Sequence, residues 1–113
     1  MEIQVVQKGD LVVLQPKGSL DMYSSLELKN RMDKIAVGKN TEVFIDFSNI
    51  NFVDSSGIGT LIKIAHQIQE AGGKVSLAGL KPTIEKVFKI SGLINVFPIL
   101  TEVELRNRLQ GDS

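Results

Sequence analysis

The residues with the most chemical scope stand together in Asp54-Ser55-Ser56-Gly57-Ile58-Gly59, two hydroxyls and two glycines between a strand-like run and a helical pattern. A serine at a helix start has three uses: it caps the helix, binds a phosphate or carries one. Upstream, Glu42-Val43-Phe44-Ile45-Asp46-Phe47 is dense in β-branched and aromatic residues, and Ser48 and Asn49 supply the turn signal that ends it. Downstream, Ile58, Leu61, Ile62, Ala65 and Ile68 recur at helical spacing as one apolar stripe.

Nucleophilic catalysis by either serine needs a base within hydrogen-bond reach and a group to orient that base. His66 is the single histidine. It lies about 80° from Ile58 on the helical wheel and roughly 12 Å along the axis, so it reads as a surface residue. Gly57-Ile58-Gly59 matches part of a dinucleotide fingerprint, but Ile62 stands where the third glycine belongs, and no Gly-Lys-Ser/Thr phosphate loop occurs. Asp46 and Asp54 have no histidine partner at metal-ligand spacing. These patterns predict no catalytic residue, no cofactor and no metal.

Helix capping by Asp54 or Ser55 accounts for the hydroxyls, but not for Gly59. A glycine inside a helix costs about 0.8 to 1 kcal/mol relative to alanine, and Gly59 lies about 120° from the stripe centre, where packing does not demand it. A bare helix start of this kind suits close approach by another protein.

At 113 residues and 42% hydrophobic, the chain suits one compact domain, burying roughly two-thirds of its unfolded surface. Thirteen basic and thirteen acidic residues cancel. A phosphate-backbone binder carries a basic face, so nucleic acid is not expected as a partner, and Arg106 and Arg108 read as solvated cations near a helix end. The absence of cysteine excludes disulfides and thiol chemistry and fits a reducing compartment. The N-terminus lacks signal-peptide features, and no run approaches the about 18 apolar residues of a membrane span. The expectation is a cytoplasmic domain without membrane contact.

Ile3–Gln7 and Leu11–Gln15 flank Lys8-Gly9-Asp10, which predicts an N-terminal hairpin, with Pro16 and Gly18 interrupting the second strand. A helix is expected from Ser24 or Ser25 to near Gly38, then the strand 43–47, then the motif helix up to Gly72-Gly73. Lys74–Ala78 predicts a strand, Pro82 opens a short helix ending near Gly92, and Val96–Ile99 predicts a short edge strand. Thr101 and Glu104 form a capping box for a last helix. Alternating strands and about four helices after a hairpin imply an α/β fold with a largely parallel segment in a mixed β-sheet. The domain is expected over residues 1–110, with 111–113 as a polar tail.

Gly18-Ser19-Leu20-Asp21 followed by Phe52-Val53-Asp54-Ser55-Ser56-Gly57-Ile58-Gly59 resembles the bacterial anti-sigma-factor antagonists, whose fold is the STAS domain. The resemblance extends over the whole chain, through Gly72-Gly73 and Ile90-Ser91-Gly92-Leu93. It implies a STAS-like single domain and a partner-switching module. The unphosphorylated antagonist of that family binds a serine kinase that doubles as anti-sigma factor, and so releases the sigma factor. The kinase phosphorylates the first serine of the motif, and a PPM-type serine phosphatase restores it.

Carried onto this chain, the resemblance assigns phosphorylation to Ser55, while Asp21, Asp54, Ser56, Gly57, Ile58 and Gly59 become partner-contacting residues. Ile58 stands where leucine is commoner in the family. The wheel alone favours Ser56, which it places opposite the apolar stripe, with Ser55 only about 80° from it. Two other outcomes fit the resemblance: a scaffold or lipid-transport STAS subunit, and a module that binds a nucleotide or lipid. A monomer is expected for the antagonist.

Overall fold

In a computed structural model, residues 1–111 are described, so Asp112 and Ser113 of the expected tail lie outside the described residues. The chain runs β1 (Glu2–Lys8), β2 (Leu11–Leu20), α1 (Met22–Asp33), β3 (Glu42–Asp46), β4 (Ile50–Val53), α2 (Ser55–Glu70) and β5 (Lys74–Ala78). It continues with α3 (Pro82–Ile90), a 3-10 turn (Leu93–Asn95), β6 (Ile99–Leu100) and α4 (Glu102–Gly111). The strands lie in the order β1-β2-β3-β5-β6, with β4 paired to β2. Among the described residues, only β1 is antiparallel to its neighbour, across the hairpin; the other pairings are parallel.

Strand alternation sorts the core into two layers, because successive side chains point to opposite faces. On one face Val12, Leu14, Val43, Ile45, Val75 and Leu77 pack against Leu28 and Met32 of α1, the stripe of α2, and Ile84 and Phe88 of α3. Phe88 meets Phe47 edge to face, centroids 5.8 Å apart. The opposite face is smaller: Leu11, Val13, Phe44 and Ala78 are covered by Leu105 of α4. Arg108 secures that helix by an ion pair to Glu42 and by lying over the Phe44 ring at 5.7 Å. It is therefore a packing element, not the solvated cation that its neighbourhood in sequence suggests.

The hairpin, the α2 helix, its end at a left-handed Gly72, the strand β5 and the Thr101–Glu104 capping box follow the sequence pattern. Besides α1, which starts at Met22 and stops at Asp33, well short of Gly38, three elements depart from it. Pro16 and Gly18 do not end β2, which continues to Leu20. The β3 ladder leaves β2 after Leu14 and the β4 ladder joins at Gly18, so Pro16 falls where the strand has a neighbour on one side only. A proline is tolerated at such a position because no ladder hydrogen bond is lost.

The second departure is β4, hidden behind the Ser48-Asn49 turn signal. That turn ends β3, but the chain resumes as a second strand on the same flank of β2. The third is the stretch 96–99, which follows the 3-10 turn at Leu93–Asn95 and pairs with β5 only from Ile99, together with Leu100. Phe97 is buried in the main core, and that anchoring delays the strand. α4 runs through Gly111, one residue beyond the expected domain boundary.

Candidate functional site

The motif serines occupy the first turn of α2, directly after β4. In the parallel ladder, Leu20 of β2 pairs with Val53 of β4, so the next residues, Asp21 and Asp54, leave paired strand ends side by side. Each becomes an N-cap. The Asp21 carboxylate accepts hydrogen bonds from the backbone N–H groups of Tyr23 and Ser24, both at 3.0 Å. The Ser24 hydroxyl completes a capping box by accepting from the Asp21 N–H at 2.9 Å, and donates to the Ser19 carbonyl at 2.6 Å. α1 thus starts at Met22, earlier than the serines that the sequence offers as caps, because an ionised carboxylate is the stronger acceptor.

Asp54 Oδ1 accepts from the Gly57 N–H at 3.0 Å, and the Asp54 N–H donates to the Leu20 carbonyl at 3.1 Å. That carbonyl also explains Gly57. A Cβ there would lie 2.6 Å from the Leu20 oxygen and 3.0 Å from its Cγ. Gly57 is buried at a close approach of helix and strand, so it serves packing and presents little surface to a partner. Nothing lies within 4 Å of a Cβ placed at Gly59. The two glycines, grouped together as partner contacts by sequence, therefore have different causes.

Ser55 is exposed and Ser56 half-buried, the reverse of the wheel's preference. The wheel measures angle from one stripe, whereas Ser56 is additionally covered by its surroundings in the fold. The Ser55 hydroxyl is tied to no other described residue. Ile58 is half-buried against the main core, and His66 is exposed. Among the described residues, no group of three or more histidine and acidic side chains could hold a metal.

Sequence reading missed the apolar residues beside these caps. Met22, Tyr23 and Leu26 of α1 are exposed, Tyr23 by 73%. The signal was present: Met22 and Leu26 are four residues apart and off the Leu28–Met32 stripe, a second apolar row. Such a row leaves apolar surface of α1 open to solvent. Ser55 follows directly on one carboxylate cap, Asp54, which leaves the sheet beside the other, Asp21.

The family model for the STAS domain matches residues 2–106. The chain belongs to the STAS domain family. Among curated relatives of this STAS chain, an anti-sigma F factor antagonist from Paenibacillus polymyxa is 25% identical, over 93% of this chain and 97% of the relative. Among solved structures, the anti-sigma factor antagonist SpoIIAA in its unphosphorylated form is 27% identical with a TM-score of 0.75, covering 97% of each chain. The phosphorylated form of the Bacillus protein SpoIIAA superposes with a TM-score of 0.71 at 27% identity, over 95% of this chain and 98% of that one. These named relatives are regulatory binding proteins, and the shared STAS fold has the mixed six-stranded sheet and four helices seen here.

The glycine geometry predicts opposite signs for two similar substitutions. Gly57→Ala should destabilise the domain by about 1 to 3 kcal/mol through overpacking on Leu20. Gly59→Ala should stabilise it by about 0.8 to 1 kcal/mol, since the methyl enters open space within a helix. Urea denaturation of both variants checks the pair.

The Asp21 cap gives a pH dependence. The Ser24 backbone N–H, followed by the other donors around it, holds the Asp21 carboxyl below its ordinary value of 3.8. A folded-state pKa below the unfolded one contributes stability above the unfolded value, which is lost as pH falls through the folded value. The wild type should therefore lose stability more steeply than Asp21→Asn below pH 3.8, the ordinary value for this group. Thermal melts across that acid range provide the measurement.

Proposed function

We propose that this chain is an anti-sigma factor antagonist acting in the cytoplasm as a monomeric partner switch. In its unphosphorylated form it binds a serine kinase that doubles as anti-sigma factor, and the sigma factor is released. Phosphorylation of Ser55 by that kinase disables binding, and a PPM-type serine phosphatase restores it. The observation that carries this reading is the exposed, untethered Ser55 at the first turn of α2, directly after the Asp54 cap that leaves the sheet beside Asp21.

A phosphoserine adds about −1.5 to −2 charges. At a helix N-terminus the added charge meets a favourable dipole and free N–H groups, so the helix does not melt. Against a docked kinase the same charge is desolvated beside Asp54 and Asp21, which disfavours the complex. The switch acts at the interface and leaves the fold unchanged. The match of this chain to SpoIIAA in both forms supports that view.

In pull-downs with the cognate kinase, Ser55→Asp should abolish capture while its circular dichroism and melting temperature stay at wild-type values. Unfolding of the variant would overturn the interface account. Phosphopeptide mass spectrometry after kinase treatment should place the label on Ser55, and label confined to Ser56 would overturn the assignment.

One observation favours a second reading, a module that binds a small molecule. An open cleft of about 580 Å³ lies beyond the carboxyl ends of β3, β5 and β6, lined by Ser48, Leu80, Lys81 and Thr101 among others. Open α/β sheets bind ligands at such strand ends. Calorimetric titration with nucleotides should give no heat if the antagonist reading holds, and heat without any partner protein would favour the module.

A further inference from the structure

A groove of 150 Å³ separates β4 from α3, lined by Asn51, Phe52, Val53, Thr83, Ile84 and Val87. Phe52 is 55% exposed and Ile90, one turn beyond Val87, is 79% exposed. On the wheel Thr83, Val87 and Ile90 fall within about 60° of one another, forming one row along the groove. Ile84 and Phe88 already supply the core contact of α3, so this second row is not needed for folding. Its apolar side chains have no cover among the described residues.

Two lysines, Lys81 and Lys86, stand at the groove, against one adjoining carboxylate, Asp54, that no lysine pairs among the described residues. Lys81, at the start of α3, reaches Asn51 Oδ1 on the opposite wall at 2.6 Å. Lys86 lies one turn before Ile90 and has no ion-pair partner among the described residues. The remaining α3 cation, Lys89, pairs at 3.6 Å with Glu85, which lines the separate cleft beyond the strand ends. The carboxylate that follows the groove strand, Asp54, is turned into α2 to cap Gly57. An apolar concavity with a cationic rim results, in a chain whose net charge is zero.

We propose that the β4/α3 groove docks a short amphipathic segment of a partner protein, with apolar side chains flanked by aspartate or glutamate. A concave site takes side chains from a helix or strand, whereas a bilayer takes a convex apolar wedge. The lysine rim selects for acidic flanks and speeds encounter with them. The proposal does not depend on phosphorylation of Ser55.

The test is a nuclear magnetic resonance titration of isotope-labelled protein with a synthetic amphipathic peptide, leucine on one face and glutamate on the other. A counterpart with lysine for glutamate is the control. The glutamate peptide should shift amides of Asn51–Val53 and Thr83–Ile90, and the lysine peptide should not. Lys86→Glu, a surface change, should weaken binding about tenfold, and Ile90→Ser should weaken it without altering the melting temperature. Equal shifts from both peptides, or shifts confined to α1, would overturn the proposal. So would shifts of the groove residues on raising protein concentration alone, which would assign the groove to a second copy, or on adding anionic vesicles in place of peptide.

Discussion

The Leu20 carbonyl at the end of β2 receives the Asp54 N–H at 3.1 Å and leaves no room for a Cβ on Gly57. This contact between a strand end and a helix start sets the geometry of the site. It closes the parallel ladder of β2 with β4, so that two strands finish together and two helices begin together. Asp21 and Asp54 then cap neighbouring helices from adjacent positions. A side chain at Gly57 would push α2 away from β2 and move Ser55 with it.

The same arrangement leaves the Ser55 hydroxyl without a structural task. Cap hydrogen bonds at both helix starts are made by aspartates, so the Ser55 hydroxyl is not needed to hold α2. A group with no structural task can be modified at little cost to stability, and an anion at this helix start is favoured by its dipole. The large apolar core lies on the far side of the α2 helix, where Leu61, Ile64, Ala65 and Ile68 bind the helix to the sheet. The packing of α2 and its exposed first turn thus occupy different faces of one element.

Two helices each carry a group of exposed apolar side chains. Met22, Tyr23 and Leu26 give α1 an apolar row beside carboxylate caps, whereas Val87 and Ile90 give α3 one beside lysines. α4, on the other face, is committed to closing the smaller core through Leu105 and Arg108.

The sequence by itself determined the elements with strong periodicity or local chemistry: the hairpin, the α2 stripe, the Gly72 stop, the Thr101–Glu104 box and the serine at a helix start. Those signals are local, carried by residues within a few positions of one another. It also carried the resemblance that assigns Ser55, although the wheel favoured Ser56. Only the tertiary structure decided which serine is exposed, that Asp21 and Asp54 stand side by side, and that Gly57 is a packing residue while Gly59 is not. The short β4, the passage of β2 through Pro16 and the role of Arg108 belong with these. Each depends on what the far end of the chain brings alongside, and a strand pairing or a buried close approach leaves no period in the sequence to read.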